Sequence, residues 1–186
     1  DGVVVVNVQT HVVRALDRVR QRAGTHQIAD SVQRRIGQVV QIGEKLTRGR
    51  GAGNKPDVGR EAAEESREEI ANALKGTQMV FITAGMGGGT GTGASAIVAE
   101  VAREMNILTV GIVTIPFAFE GPKKIKKAMT GVAKLAEHVD AILVINNQKL
   151  LNIYPDFSML NAFKKSDDVV ANAARSIAEI ITIPGY

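Results

Sequence analysis

The sequence predicts an α/β protein with a Rossmann-like, doubly wound, mainly parallel sheet that is covered by helices on both faces. Two observations carry this prediction. Short runs of β-branched and other apolar residues alternate along the chain with stretches of helical periodicity. The runs are continuously apolar, which is typical of strands buried on both faces, and the stretches between them suit the crossover helices that join parallel strands. A chain of 186 residues can bury roughly 70% of its unfolded surface, so we expect one domain over residues 1–186.

Five apolar runs are predicted to form the strands: residues 3–6, 39–42, 79–83, 108–113 and 141–145. The helices are predicted over residues 57–75, 93–105 and 123–137 and from Ser166 to the Pro184-Gly185 pair. In the first helix the apolar residues fall on one stripe, and Gly76 ends it. The last helix would begin with Asp167 and Asp168 in its first turn, where carboxylates suit the positive end of the helix dipole.

The composition excludes several classes of protein. Hydrophobic residues make up 45% and charged residues 23%, which a disordered chain does not have. The apolar runs are far too short to span a membrane, and no signal-peptide pattern opens the chain. Without cysteine there is no disulfide scaffold or thiolate site, and His11, His26 and His138 lack metal-ligand spacing. We therefore expect a soluble cytoplasmic protein without a metal site of its own.

The net charge of +4 is unevenly distributed, because residues 1–50 carry nine lysines and arginines against four acidic residues. A basic segment can indicate nucleic-acid binding. However, its arginines recur at roughly helical spacing without aromatic residues between them: Arg14, Arg18, Arg22, Arg34 and Arg35. We favour a solvated helix face and expect no nucleic-acid partner.

A glycine-rich run at residues 85–93 has the clearest chemistry. Six of its nine residues are glycine, and it lies between the predicted strand 79–83 and a helix expected to start near Ala94. Glycines let the backbone turn tightly and approach a ligand closely. The run would bring backbone N–H groups, a positive helix end and two threonine hydroxyls to one point. A plain strand-to-helix turn needs only one or two glycines, so we predict a phosphate-binding loop.

Two common phosphate-loop motifs fit this run less well. Residues 88–93 follow the P-loop pattern G-x-x-x-x-G-K-[ST] up to the lysine, which is missing. Residues 89–94 satisfy the dinucleotide fingerprint G-x-G-x-x-G/A. That fingerprint also requires an acidic residue after the next strand, where residues 114–116 are Thr-Ile-Pro. A nicotinamide-linked oxidoreductase is therefore the weakest of the functions considered.

The segment GGGTGTG at residues 87–93 resembles the signature of the tubulin/FtsZ GTPase superfamily. The flanking sequence is similar to the FtsZ branch rather than to tubulin, nearly continuously from residue 41 to residue 185. The segments that carry the resemblance are QIGEKLTRGRGAGNKPDVGREAAEES, MVFITAGMGGGTGTGA, LTVGIVTIPFAFEG, DAILVINNQKLL, NAFKKSDDVV and IAEIITIPG. The fold that this resemblance implies is the FtsZ/tubulin GTPase domain.

The resemblance also implies a function, that of a cytoskeletal GTPase in bacterial cell division. Such proteins polymerise head to tail into filaments of the division ring and hydrolyse GTP at the interface between subunits. The implied cofactors are GTP or GDP, with Mg²⁺ accompanying the nucleotide. The implied partners are other FtsZ subunits and accessory proteins of the ring, in the cytoplasm at mid-cell, without nucleic acid and without direct membrane insertion.

The resemblance assigns roles to individual residues. Loop residues would hold the phosphates: Gly87, Gly88, Gly89, Thr90, Gly91 and Thr92. Gly51, Ala52 and Gly53 would sense the γ-phosphate. Glu120 would bind the ribose beside Lys124, Asn147 and Asp167 would hydrogen-bond the guanine edge, and Phe163 would stack on its face. Considered alone, Asp167 is more typical of a helix start and Phe163 of a core, whereas residues 51–53 fit a flexible surface loop and a backbone that contacts a ligand equally well.

The chain departs from the family pattern in three places. Residues 1–40 contain no GxGGGGxNA loop. Residues 3–6 would be either the first family strand, with residues 12–16 in the first helix, or the second strand, with Asn7 opening an NTD-like motif. The family arginine after Glu120 is Lys124, which keeps the charge and loses the bidentate fork. The family's acidic NxDFxD loop and second domain would follow Tyr186.

Two expectations follow from these assignments. The loop residues can position phosphates but cannot activate water, so we expect this chain alone to bind GTP weakly and not to hydrolyse it. An alternative is an assembly module that keeps the fold without turnover. We also expect Gly89→Asp or Gly91→Asp to remove the phosphate site, with folding nearly retained if the loop is surface-exposed.

Overall fold

Among the residues that the computed structural model describes (3–9, 12–16, 39–48 and 51–182), six strands form one sheet. The strands are β1 (Val3–Gln9), β2 (Val12–Leu16), β3 (Val39–Gln41), β4 (Met79–Gly85), β5 (Leu108–Ile115) and β6 (Ala141–Asn146). The helices are α1 (Glu44–Thr47), α2 (Pro56–Glu65), α3 (Arg67–Leu74), α4 (Thr90–Glu104), α5 (Pro122–Ala136), α6 (Asn147–Ile153) and α7 (Met159–Thr182), with a 3₁₀ turn at Ala118–Glu120. The five predicted strands are confirmed, and α6 is a helix that the sequence did not predict.

The sheet is mainly parallel, as predicted. Its order is β3-β2-β1-β4-β5-β6, and β1, β4, β5 and β6 run parallel to one another. In contrast, β2 pairs antiparallel with both β1 and β3. Of the two alternatives for the start of the chain, the one that places residues 12–16 in the first helix is therefore wrong. This run begins with two β-branched valines and follows β1 after only two residues, which suits an antiparallel return and not a crossover.

The basic first segment is described only in part. Arg14 lies in β2, opposite Asn7 of β1 and Val39 of β3, so its expected place on a helix face is wrong. Several other residues singled out in the sequence lie outside the described residues: Arg18, Arg22, Arg34, Arg35, Pro184 and Gly185.

Helices cover both faces of the sheet, which explains the continuously apolar strands. On one face Val80 and Ile82 of β4 belong to a core cluster with residues of α2, α3, α4 and α5. On the other face Phe81 and Ile112 form a second cluster with Ala174 of α7. Successive side chains of a strand point to opposite faces, so the residues of β4 before Gly85 are buried by one helix layer or the other. The predicted doubly wound architecture is confirmed.

The predicted helix 57–75 is two helices, α2 and α3, that meet at Ser66. Ser66 leaves helical geometry, and its Oγ accepts a hydrogen bond from the Gly43 N–H at 3.1 Å. The break therefore ties the segment before α1 to the α2–α3 junction. None of the described helices combines the length and hydropathy that crossing a bilayer requires.

The last helix, α7, begins at Met159 and not at Ser166. Ser158 directly precedes it, and its Oγ accepts a hydrogen bond from the Asn161 N–H at 3.3 Å, as an N-cap residue does. Asp167 and Asp168 therefore lie in the third turn, so the prediction that they occupy the first turn is wrong. The helix dipole therefore does not explain why two carboxylates occur at these positions.

Candidate functional site

A cavity of about 660 Å³ opens at the carboxyl ends of the parallel strands, where Val8, Gly85 and Thr114 line it. Ligands of open α/β sheets bind at this edge. Twelve of the fourteen predicted site residues line the same cavity: Gly51, Ala52, Gly53, Gly88, Gly89, Thr90, Gly91, Glu120, Lys124, Asn147, Phe163 and Asp167. These residues come from separate segments of the chain, and only the fold brings them together.

The glycine-rich run connects β4 to α4 along one side of the cavity. The backbone turns at Gly87, whose φ of 103° favours glycine. The Met86 N–H donates to the Thr114 carbonyl oxygen at 2.9 Å, and the Gly87 N–H donates to Thr92 Oγ1 at 2.8 Å. Gly87 and Thr92 are the two predicted residues that do not line the cavity; their hydrogen bond holds the turn in place.

The start of α4 faces this cavity. Gly89 is its N-cap residue, and Thr90 and Gly91, its first two residues, also line the cavity. The N–H groups and the dipole at a helix start favour an anion at that point. The helix begins earlier than the predicted residue 93, because Gly91, which suggested a loop, is a helical residue.

Close packing accounts for Gly91 being glycine inside a helix. A Cβ at Gly91 would meet the Gly85 carbonyl oxygen, and Gly91 is buried. A Cβ at Gly89 would come within 2.6 Å of the Ala52 Cβ. The expectation that aspartate at either position leaves folding nearly intact is therefore wrong. Gly88 differs, because a Cβ there meets nothing within 4 Å.

The loop of residues 51–54 forms another wall. Gly51, Gly53 and Asn54 have φ values of 89°, 53° and 61°, a backbone region that glycine and asparagine adopt most readily. The Lys55 N–H donates to the Ala52 carbonyl oxygen at 2.9 Å. Lys127 of α5 donates from Nζ to the Asn54 carbonyl oxygen, also at 2.9 Å, and so ties the loop to that helix.

Glu120 is held in place at the mouth of the cavity. Its Oε1 accepts a hydrogen bond from the Phe117 N–H at 2.9 Å, and its Oε2 pairs with Lys124 Nζ at 2.9 Å. Both oxygens keep a lone pair for a further donor such as a hydroxyl. A carboxylate engaged in this way suits ligand positioning better than proton abstraction.

Asn147 is buried at the start of α6, where Asn146 forms the N-cap by accepting from the Gln148 N–H at 3.0 Å. The buried Ser166 hydroxyl donates to Asn147 Oδ1 at 2.7 Å. With its oxygen occupied, the Asn147 amide offers its N–H₂ group to the cavity as a donor. The sequence analysis placed Ser166 only at the start of the last helix, and nothing in the sequence indicated its contact with Asn147.

Phe163 and Asp167 lie one turn apart on α7, so both reach the same side of the helix. The Phe163 ring packs edge-on against the buried Phe117 ring, with centroids 5.0 Å apart, and keeps 39% of its surface exposed. Partial burial and the neighbouring Asp168 carboxylate raise the pKa of Asp167 above 3.8. Asp167 forms no ion pair within the described part of the chain, so its carboxylate can accept hydrogen bonds from a ligand.

Several residues that line the cavity were not predicted: Val8, Asn54, Gly85, Met86, Thr114, Pro116 and Ser166. Most of them end a strand or directly follow one. The edge of the sheet could therefore have indicated them, but only after the order of the strands was known.

A protein-family model described as "Tubulin/FtsZ family, GTPase domain" matches residues 18–155. The chain belongs to the tubulin/FtsZ family. Proteins of this family bind GTP and are GTPases. Cell division protein FtsZ of Azotobacter vinelandii is 57% identical over 148 residues, which cover 79% of this chain and 38% of the relative. FtsZ of Coxiella burnetii is 53% identical over the same shares of the two chains.

Solved structures of FtsZ share the fold. An empty FtsZ dimer from M. jannaschii superimposes with a TM-score of 0.75 at 49% identity, covering 78% of this chain and 42% of that one. A GTPγS-bound protofilament of CetZ2 from Haloferax volcanii gives a TM-score of 0.63 at 24% identity, covering 76% and 42%. The chain spans 38% of the length of the curated FtsZ relatives from Azotobacter vinelandii and Coxiella burnetii.

Proposed function

We propose that this chain binds guanine nucleotides in the cavity at the carboxyl edge of the sheet. The phosphates would lie against Gly88, Gly89, Thr90 and Gly91 at the start of α4, with residues 51–53 at the γ-phosphate. Glu120 would bind the ribose, and the base would lie among Asn147, Phe163 and Asp167. One observation carries the proposal: a single cavity has a helix start at one wall and, at another, a donor, an acceptor and an aromatic ring.

Guanine matches the base-binding side chains. Guanine presents O6 as an acceptor and N1–H with the 2-amino group as neighbouring donors. The Asn147 amide is oriented to donate, because Ser166 occupies its oxygen, and the Asp167 carboxylate can accept two hydrogen bonds. Adenine presents a donor where guanine has O6 and an acceptor where guanine has N1–H. Adenine would therefore leave both protein groups unpaired, which costs about 1–3 kcal/mol for each group.

Mg²⁺ would enter together with the nucleotide. The described residues contain no cluster of three or more histidine, aspartate or glutamate side chains that could hold a metal ion. Mg²⁺ is commonly held by phosphate oxygens, water and one or two protein oxygens. Of the cavity residues, the Thr90 hydroxyl is the one that the start of α4 offers for this purpose.

Hydrolysis would require a second subunit. The two carboxylates that line the cavity are Glu120, which is engaged with Phe117 and Lys124, and Asp167, which belongs to the base-binding group. Neither is a free general base at the phosphates. We propose that GTP is hydrolysed when another FtsZ subunit supplies acidic groups in a head-to-tail filament of the division ring, where ring accessory proteins also bind. The dimer of the M. jannaschii FtsZ, which is 49% identical to this chain, supports assembly of this kind.

A second candidate is an assembly module that holds nucleotide without turnover. The same observation favours it, because the described cavity residues position a nucleotide but provide no free base. The two candidates make different predictions for phosphate release. Release that appears when full-length FtsZ is added would support the GTPase, whereas none at any subunit ratio would support the assembly module.

Calorimetry with GTP, GDP and ATP tests nucleotide binding itself. We expect GTP and GDP to bind at least about a hundredfold more tightly than ATP, because a site built on hydrogen bonds rejects a ligand that leaves them unmade. Gly88→Asp places a carboxylate in open space beside the phosphates and should abolish binding, with Gly88→Ala as the matched control for size. ATP bound as tightly as GDP would contradict the guanine assignment.

A further inference from the structure

A second cavity, of about 420 Å³, lies between α2 and α5 over the first turns of α4. We call it the basic cleft. Its α2 wall contains Asp57 and Arg60, and its α5 wall contains Lys123, Lys126, Lys127 and Lys134. Thr92 and Ala96 of α4 also line it.

The charge of the basic cleft stands out against the rest of the chain. Residues 51–186 carry fourteen basic and fifteen acidic residues, yet five of the basic ones and a single acidic one line this cleft. Within the described residues no ion pair neutralises Arg60, Lys123, Lys126 or Lys134. Like charges this close repel one another, so an anion between them would be stabilising.

The basic residues of the cleft lie on two helices that face one cavity, whereas a solvated lysine face would lie on one helix and point into water. The α5 lysines at positions 123, 126, 127 and 134 lie on one side of that helix, and Arg60 approaches from another helix across the cavity. The Thr92 hydroxyl lies among these cations and can donate to an anion, whereas the Thr130 hydroxyl donates to the Lys126 carbonyl oxygen at 3.2 Å. Lysine binds phosphate as a point charge and needs no fixed geometry, so several lysines suit a flexible polyanion.

Two hydrogen bonds connect the basic cleft to the first cavity. Lys127 lines the cleft, and its Nζ donates to the carbonyl oxygen of Asn54, a residue that lines the first cavity. Thr92 lines the cleft, and its Oγ1 accepts from the Gly87 N–H in the turn before α4. An anion that draws Lys127 Nζ toward itself would compete with its bond to the Asn54 carbonyl oxygen, and one that accepts from the Thr92 hydroxyl would change the surroundings of the Gly87 N–H.

We propose that the basic cleft binds a small polyanion with several phosphate groups, and that its binding displaces the 51–54 loop and perturbs the Gly87 turn. The cleft is then an effector site next to the first cavity. Its existence does not depend on which nucleotide the first cavity takes.

Inorganic tripolyphosphate is the probe, measured by calorimetry. Because it could also enter the first cavity, the measurements use a Gly88→Asp background, in which a carboxylate blocks the phosphate end. The cleft variant carries Lys123→Gln, Lys126→Gln and Lys134→Gln. The control variant carries Lys45→Gln, Lys75→Gln and Lys149→Gln, which change the net charge equally at exposed positions outside both cavities. Far-UV circular dichroism checks that both fold.

We expect the control to bind one tripolyphosphate and the cleft variant to bind it at least about tenfold more weakly at 0.1 M ionic strength or below, where screening is modest. Equal affinity of the two variants, or no binding by the control, would overturn the proposal. Binding of polyglutamate in place of tripolyphosphate would also overturn it, in favour of an acidic peptide ligand.

Amide chemical shifts in the same background test the connection without any nucleotide. Tripolyphosphate should shift the amide signals of Gly53, Asn54 and Gly87, and Lys127→Met should remove the shifts at Gly53 and Asn54 while those at Gly87 persist. Binding that leaves all three signals unmoved would refute the effector role.

Discussion

The phosphate side and the base side of the first cavity are built in opposite ways. The phosphate side is backbone: the start of α4 and the glycines that surround it. The base side is made of side chains, Asn147, Phe163 and Asp167, carried by α6 and α7. Substitutions at the closely packed Gly89 and Gly91 should therefore act through packing and folding, whereas those on the base side should change ligand choice and leave the fold intact.

The largest expected effect is on folding. Gly91→Ala places a Cβ against the Gly85 carbonyl oxygen inside a buried helix start, so the backbone must move. Overpacking of this kind costs about 3 kcal/mol of unfolding free energy. Urea denaturation measures it, with Gly88→Ala as the control, because a Cβ there meets nothing. Equal stability of the two variants would contradict the inference that Gly91 is required for packing and Gly88 is not.

On the base side, Asp167→Asn should change ligand choice instead of stability. Asparagine can still accept one hydrogen bond, but its N–H₂ group opposes the guanine donors. We expect GDP affinity to fall about a hundredfold, since hydrogen bonds to a charged acceptor are worth about 1.5–3 kcal/mol each. The control is Asp168→Asn, at an exposed neighbouring acid that does not line the cavity. Equal losses in both variants would indicate a general charge effect and not a base contact.

The same contrast explains how much of the molecule the sequence could predict. The phosphate side lies in one contiguous segment, so its glycine pattern identified it without knowledge of the fold. The exact start of α4 was missed, because Gly91 is glycine for packing against Gly85 and local propensity favours a loop there. Five strands were found because their runs are apolar on both faces, but β2 was not predicted as a strand.

The base side was accessible only through the family resemblance. Asp167 by itself suggested a helix start, because the N-cap signal of Ser158 went unrecognised. Ser166 and Asn54 could not be predicted at all. Their roles depend on the Asn147 side chain and on Lys127, which meet them only after the sheet and helices have assembled.

A smaller effect is expected at the residue that orients Asn147. Ser166→Ala removes the donor to Asn147 Oδ1, so the amide is free to turn its oxygen toward the cavity. Losing one hydrogen bond of about 1 kcal/mol should weaken GDP binding about fivefold and lower the ratio of GDP affinity to ATP affinity. Ser176→Ala, at an exposed position on the same helix, is the control. An unchanged ratio of GDP to ATP affinity would show that Ser166 does not orient the Asn147 amide.

The smallest effect is a pH dependence that separates binding from folding. Partial burial and Asp168 raise the pKa of Asp167 above 3.8, so in mild acid the folded chain takes up a proton there before the unfolded chain does. Because the folded state then binds more protons than the unfolded state, this group makes the fold slightly more stable as the pH falls through the raised pKa.

Guanine needs the ionised carboxylate, so GDP affinity should fall over the same range, about twofold where half of Asp167 is protonated. Calorimetry and thermal unfolding over a pH series measure both quantities. Asp167→Asn should flatten the pH dependence of both, whereas affinity and stability falling together in the unmodified chain would mean that acid acts on the fold as a whole.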